Sequence, residues 1–168
     1  MIRLTADSTC DLGENIQKRG IGIKPLSVIL GDTVYSDGVD IVPQDIFNYV
    51  EKTGQLPKTA APSIADYEDF FRPYVEEGDT VIHFNISSKA SSSHSYAAEA
   101  AKSFGGKVFV VDTKALSTGQ GLVIMLAADM RDRGASAEEI VEKVNSVRAK
   151  VNTSFVPDRL DYLYKGGR

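Results

Sequence analysis

Short β-branched runs alternate with longer segments of helical period along this chain, and that alternation constrains the fold more than any other feature. Ile2–Ala6 (IRLTA), Asp79–Asn85 (DTVIHFN) and Lys107–Asp112 (KVFVVD) read as strands. Helical segments are expected at 64–77, 92–104, 121–134 and 136–150. In the last of these, Ile140, Val141, Val144 and Val147 recur at three- and four-residue steps, so one stripe faces a core. Ser136 with Glu139, and Ser63 with Asp66, have the spacing of capping boxes. Strand–helix units in this order imply an α/β fold with a mostly parallel sheet flanked by helices. Residues 22–42 differ: alternating apolar positions on either side of Gly31-Asp32 predict an antiparallel ribbon added to the sheet's edge.

A chain of 168 residues, 42% of them hydrophobic, is long enough to bury about 70% of its unfolded surface in one core. The net charge of −4, with no basic cluster, argues against nucleic-acid binding. The single cysteine, Cys10, has no intrachain partner for a disulfide, and no secretory leader pattern opens the sequence, so a cytoplasmic location is expected. The longest apolar run, 121–128, is far short of the ~20 residues that cross a bilayer.

Six serines fall between 87 and 95, where the strand ending at Asn85 gives way to an alanine-rich helix. In an open parallel sheet, ligands settle outside the carboxyl ends of strands, against helix starts whose unpaired N–H groups attract anions. The hydroxyls of Ser91, Ser92 and Ser93 are placed to complete an anion cup; alternatively they cap the helix and organise its turn. A second polar turn, 57–67, offers Thr59, a hydroxyl without a capping role. If Thr59 and Ser91 share a ligand they must converge in space.

Other candidates carry less. Asp7 and Asp112 each end a strand and read as turn organisers, with metal ligation or base catalysis as the sharper alternative; no divalent-cation constellation accompanies them. Cys10 has no neighbouring histidine to activate it. His83, inside an apolar strand, reads as a packed core residue. His94 beside the serines raises a small serine hydrolase or a phosphate-binding α/β enzyme, but no G-x-S-x-G elbow is present, and Gly105-Gly106 and Gly119-x-Gly121 lack the spacing of nucleotide-binding loops. No cofactor or metal is implied.

Six motifs in order resemble the DegV family of bacterial fatty-acid-binding proteins: ADSTCDL (6–12), YSDGVDI (35–41), TAAPS (59–63), ISSKASSSHSYAAEA (86–100), VVDTKALSTGQG (110–121) and LDYLYKGGR (160–168). The resemblance implies a first, lipid-binding α/β domain over 1–155 and a hinge helix over 156–168 leading to a second domain that this chain lacks. It implies a non-catalytic carrier, involved in phospholipid metabolism, that holds a long-chain fatty acid by its carboxylate and presents it to a separate fatty acid kinase, with transient contact at a membrane surface. By the resemblance, Thr59, Ser91 and Ser92 hold the carboxylate, Ser93 stands where the family has threonine, and Arg168 belongs to a hinge motif engaging partner or ligand. Ala60, Ala61, Ala90 and Ser92 depart from the family's usual residues; a side chain at Ser92, where glycine is usual, narrows the turn. Burying an acyl chain contributes about 0.8 kcal/mol per CH₂, on the order of 10 kcal/mol for sixteen carbons before binding costs. A hydrogen bond to a charged head group adds roughly 1.5–3 kcal/mol and sets orientation.

Overall fold

The structure, a computed structural model, describes residues 1–157, Leu160 and Tyr164. In chain order its elements are β1 (Ile2–Asp7), α1 (Asn15–Lys18), β2 (Gly22–Lys24), β3 (Ser27–Leu30), β4 (Thr33–Ser36), α2 (Pro43–Thr53), β5 (Lys58–Ala60), α3 (Ile64–Glu76), β6 (Thr80–Asn85), α4 (Ser93–Ala101), β7 (Val108–Asp112), α5 (Ser117–Asp132) and α6 (Ala137–Val147). They fall into two compact units, one comprising Met1–Lys24 and Ala61–Thr153, the other built on Pro25–Ala60. The hinge helix expected over 156–168, Arg168 included, lies almost entirely outside the described residues.

The first unit holds a four-stranded, fully parallel sheet in the order β2-β1-β6-β7. Both faces are covered, so β6 is buried along its length and its side chains divide by period two. Ile82 and Phe84 join Leu4, Ala6 and Val111 in a core closed by Val123, Ile124, Ala127 and Ala128 of α5 and by Ile140 and Val144 of α6. Val81 faces the other way, into a second core with Tyr67 and Phe71 of α3 and Ala97 and Ala100 of α4. His83 shares that face: its ring lies 5.4 Å from Tyr67 and 5.2 Å from Phe71, both edge-on.

Local chemistry sets the helix boundaries. Ser63 and Ser136 each accept the backbone N–H of the residue three positions on, and Asp66 and Glu139 return the bond to the cap's N–H, completing both expected capping boxes. Helix α5 begins at Ser117, four residues before its apolar run. Gly121 in that first stretch lets the helix approach the turn after β1 so closely that an added Cβ would lie 2.9 Å from the Cys10 carbonyl oxygen.

The expected ribbon over 22–42 is corrected in part. Gly22–Lys24 pairs parallel with β1 as the edge strand of the main sheet. Pro25, without an N–H to continue the ladder, follows immediately. The hairpin itself is present, with Leu30 opposite Thr33 and Gly31 at φ +61° in its two-residue turn. It belongs to a separate antiparallel sheet, β4-β3-β5, in the second unit, instead of extending the parallel one. Helix α2 in that unit starts on Pro43, accepts the Val42 N–H on Asp45 (3.0 Å), and stops at Gly54 at φ +69°.

Candidate functional site

Because all four strands of the main sheet are parallel, their carboxyl ends lie along one edge. The chain enters β2 on one side of β1 and β6 on the other, so the connections diverge at the β1/β6 boundary, where open α/β sheets form their crevice. Asp7 ends β1, Asn85 ends β6 and Asp112 ends β7.

Asp7 and Asn85 are completely buried, together with Thr5, His83, Ser93, Thr113 and Gln120. A buried polar group is tolerated only with partners, and here they are supplied mutually. Asp7 accepts from the backbone N–H of Ile86 (2.7 Å), Gln120 Nε2 (2.8 Å), Thr9 Oγ1 (2.6 Å) and, at 3.5 Å, Asn85 Nδ2. Gln120, the polar residue in the first turn of α5, also donates to the Phe84 carbonyl at 3.2 Å. Asn85 Nδ2 lies 3.1 Å from Tyr67 Oη and 3.2 Å from His83 Nε2. Burial lowers the His83 pKa to about 3, so its ring is neutral. A neutral ring that accepts at Nε2 from Asn85 carries its proton on Nδ1 and donates it to Thr5 Oγ1, 2.9 Å away. Asn85 Oδ1 is buried without a partner among the described residues.

The serine turn springs from this cluster. Ser87 N–H donates to the Ala115 carbonyl (2.8 Å), and the Ser87 carbonyl receives the N–H groups of Ala90 (2.8 Å) and Ser91 (3.2 Å). Ser88 donates to Asp112 through both N–H (3.1 Å) and Oγ (2.7 Å). Burial opposes the charge on Asp112, but the bonds from Ser88 and Lys114 outweigh it and hold the carboxyl below the usual range. Asp112 is thus the turn organiser that its position implies.

The three candidate serines occupy different environments. Ser93, the first residue of α4, is fully buried. Ser91, half-buried, has its Oγ 2.8 Å from Ser93 Oγ and accepts the Ser93 N–H at 3.2 Å. Ser92 is exposed at the helix start and makes no side-chain cap; its carbonyl receives Tyr96 N–H (3.1 Å) and Ser95 Oγ (2.8 Å). Thr59 is exposed on β5 in the second unit, paired in register with Val28.

The remaining candidates have structural explanations. Burial pushes the Cys10 thiol up to about 11, away from nucleophilic use. His94 is half-buried with its pKa lowered, chiefly by burial, and its Nδ1 has no hydrogen-bond partner among the described residues. The Ser91 hydroxyl bonds to Ser93. Among the described residues no group of three or more His, Cys, Asp or Glu is placed to hold a metal, and no helix is long and apolar enough to cross a membrane.

Tyr67, Asn85 and Gln120 are the site's partners that sequence reasoning missed. Gln120 alone left a signal, as a polar residue beside an apolar helical tract; Tyr67 fits the stripe of α3 and Asn85 looks like a strand terminator.

Comparison with known proteins bears on this arrangement. A family model described as "Uncharacterised protein, DegV family" matches residues 1–168. A DegV domain-containing protein of Deinococcus radiodurans is 33% identical over 99% of this chain and 60% of its own length. A solved structure described as fatty acid binding of a DegV family protein from Thermus thermophilus is 34% identical, with a TM-score of 0.88 over 99% of this chain and 60% of that one. A stearic acid-binding protein from Eubacterium ventriosum is also 34% identical, with a TM-score of 0.77 over 86% of this chain and 52% of that one. The chain therefore spans about 60% or less of the length of these relatives. With its sequence matched from end to end and its mixed α/β fold shared, the chain belongs to the DegV family.

Proposed function

We propose that this chain binds a long-chain fatty acid, with the serine turn at the carboxyl edge of the parallel sheet taking the carboxylate. The observation that carries the proposal is the placement of Ser91: a half-buried hydroxyl, fixed by Ser93, at the start of a nine-residue helix and beside the sheet's divergence point. A helix start favours a negative head group, and a hydroxyl there adds a hydrogen bond without introducing a buried cation that would need pairing when the site is empty. The fatty-acid binding named for the Thermus thermophilus and Eubacterium ventriosum relatives supports the same ligand class.

In this proposal Ser91 is the principal head-group contact and Ser92 contributes its N–H. Ser93 acts from behind Ser91, and Thr59 enters as a second hydroxyl ligand through the family resemblance. Arg168 enters on the same ground as a partner or ligand contact. The chain supplies no chemistry of its own; it carries the acid in the cytoplasm, meets membrane surfaces transiently, and hands the acid to a fatty acid kinase. Affinity comes from the buried tail and orientation from the hydroxyls.

The test is organic extraction of the protein, purified from cells at its full natural length, followed by mass spectrometry. Co-purified long-chain fatty acid, and saturable binding when the stripped protein is titrated with palmitate, are expected. An extract free of fatty acid together with no binding on titration refutes the proposal.

A further inference from the structure

Three successive N–H groups at the start of the serine turn are held from three different places. Ile86 donates to Asp7 at the end of β1 (2.7 Å), Ser87 to the Ala115 carbonyl in the loop before α5 (2.8 Å), and Ser88 to Asp112 at the end of β7 (3.1 Å). The turn then bonds to itself: the N–H groups of Lys89, Ala90 and Ser91 all go to Ser87, and that of Ser93 to Ser91 Oγ. From Ile86 to Ser93, only Ser92 keeps a backbone N–H without a partner among the described residues. Where a head group meets this turn is therefore set by what fastens its first three residues.

The fastening at Asp7 is the most demanding of the three. Its Oδ2 takes the Ile86 N–H, while its Oδ1 takes Gln120 Nε2 at 2.8 Å and Thr9 Oγ1 at 2.6 Å. Gln120 Nε2 also donates to the Phe84 carbonyl at 3.2 Å, so turning that amide over would set its oxygen against a carboxylate and a carbonyl. N–H donors on both oxygens require two acceptors, which a carboxylate has. An asparagine accepts on one oxygen and brings its NH₂ against either the Ile86 N–H or Gln120 Nε2. Asp7 and Gln120 are completely buried, where water does not relieve an unmatched donor. Asp112 is less exacting: its Oδ1 takes the N–H groups of Ser88 and Lys114 (2.9 Å), and its Oδ2 takes the Ser88 hydroxyl (2.7 Å), a group able to turn and accept. We propose that Asp7 is a positioning residue for the lipid head group: accepting the Ile86 N–H and Gln120 Nε2 on separate oxygens, it fixes where the serine turn leaves β6 and so where Ser91 and Ser92 meet a carboxylate. The proposal rests on the fatty-acid reading above and extends it to a buried side chain, braced by Gln120, that acts through the backbone of the turn.

The experiment compares palmitate with 1-hexadecanol, whose head group is uncharged, each displacing a fluorescent fatty acid from the full-length protein. Wild type is expected to prefer palmitate. Asp7→Asn releases one of the two opposed donors and lets the turn shift, so the ratio of the two affinities narrows by about tenfold, the equivalent of one hydrogen bond to a charged group. Asp112→Ala narrows it as well, and Asp112→Asn, which meets the same three groups, restores it. A merely structural role for Asp7 would weaken both lipids together and leave the ratio unchanged in Asp7→Asn. Tighter palmitate binding in both asparagine variants would mean that the two charges act only by repelling the ligand. Either result overturns the proposal. If Asp7→Asn fails to fold, Gln120→Met decides: it keeps the side chain's bulk, removes the donor to Asp7 Oδ1, and should narrow the ratio in the same way, an unchanged ratio overturning the proposal. Wild-type protein that binds neither lipid refutes the fatty-acid reading itself, whereas a palmitate preference kept in full by Asp7→Asn and Gln120→Met refutes only the positioning role.

Discussion

Stability between neutral and mildly acidic pH should be governed by His83. The ring is completely buried between Tyr67 and Phe71 of α3 and the polar ends of β1 and β6, and it faces Phe70, Thr5 and Asn85 as well. Burial is the largest cause of its lowered pKa, with smaller contributions from His94 and Lys24. In the unfolded chain the imidazole titrates near 6.5, in the folded protein near 3. Between those values the unfolded state binds more protons, so stability is fully present above the unfolded pKa and falls as pH drops below it. Integrated from about pH 8 to about pH 5.5, the loss from this one group is about 1.4 kcal/mol, and it continues at about 1.4 kcal/mol per unit toward the folded pKa. The carboxylates with lowered values, Asp66, Asp79, Asp112 and Asp132, titrate below this window in both states and leave it clean, while His94 adds a slope of the same sign. Urea unfolding at both ends of the window should show wild type losing at least this amount. His83→Gln should lose about 1.4 kcal/mol less across the same interval, whatever its absolute stability, with His94→Gln as the reference for the second ring. A His83→Gln slope equal to that of wild type would refute a neutral, buried His83.

Two further perturbations probe the packing around the site. Gly121→Ala adds a Cβ 2.9 Å from the Cys10 backbone oxygen and 3.2 Å from Leu12, so thermal unfolding should show a lower Tm even though Ala is favoured over Gly in a helix by about 1 kcal/mol; an unchanged or higher Tm contradicts the close approach. Cys10, with its thiol raised to about 11 by burial, should react with a thiol reagent at neutral pH at least about a hundredfold faster in urea than in buffer, and equal rates would mean an accessible thiol.

Much of the parallel sheet is legible because each strand carries its own signal: β-branched runs at 2–6, 79–85 and 107–112 become β1, β6 and β7 with ends shifted by a residue. The capping boxes at Ser63 and Ser136 are legible for the same reason, since every atom involved lies within four residues. The sheet to which the 27–36 hairpin belongs is not local information. Its third strand, β5, is only three residues long and lies beyond α2, where Lys58–Ala60 reads as part of a polar turn. The helix expected at 121–134 starts four residues earlier, at Ser117; Gly121 stands there because of how near α5 comes to the turn after β1, a tertiary fact. At the site, the serine cluster announces hydroxyls next to a strand's end. The buried polar cluster next to those hydroxyls stays hidden, because Tyr67, Asn85 and Asp7 each have an adequate local reading as stripe, terminator and turn.

The most direct test of the account is the affinity of palmitate for Ser91→Ala measured by isothermal titration against wild type. Removing one hydrogen bond to a charged head group should weaken binding about tenfold or more while the melting temperature stays near that of wild type, since Ser91 is only half-buried. Equal affinity in the two proteins would take the carboxylate away from the serine turn and contradict the central claim.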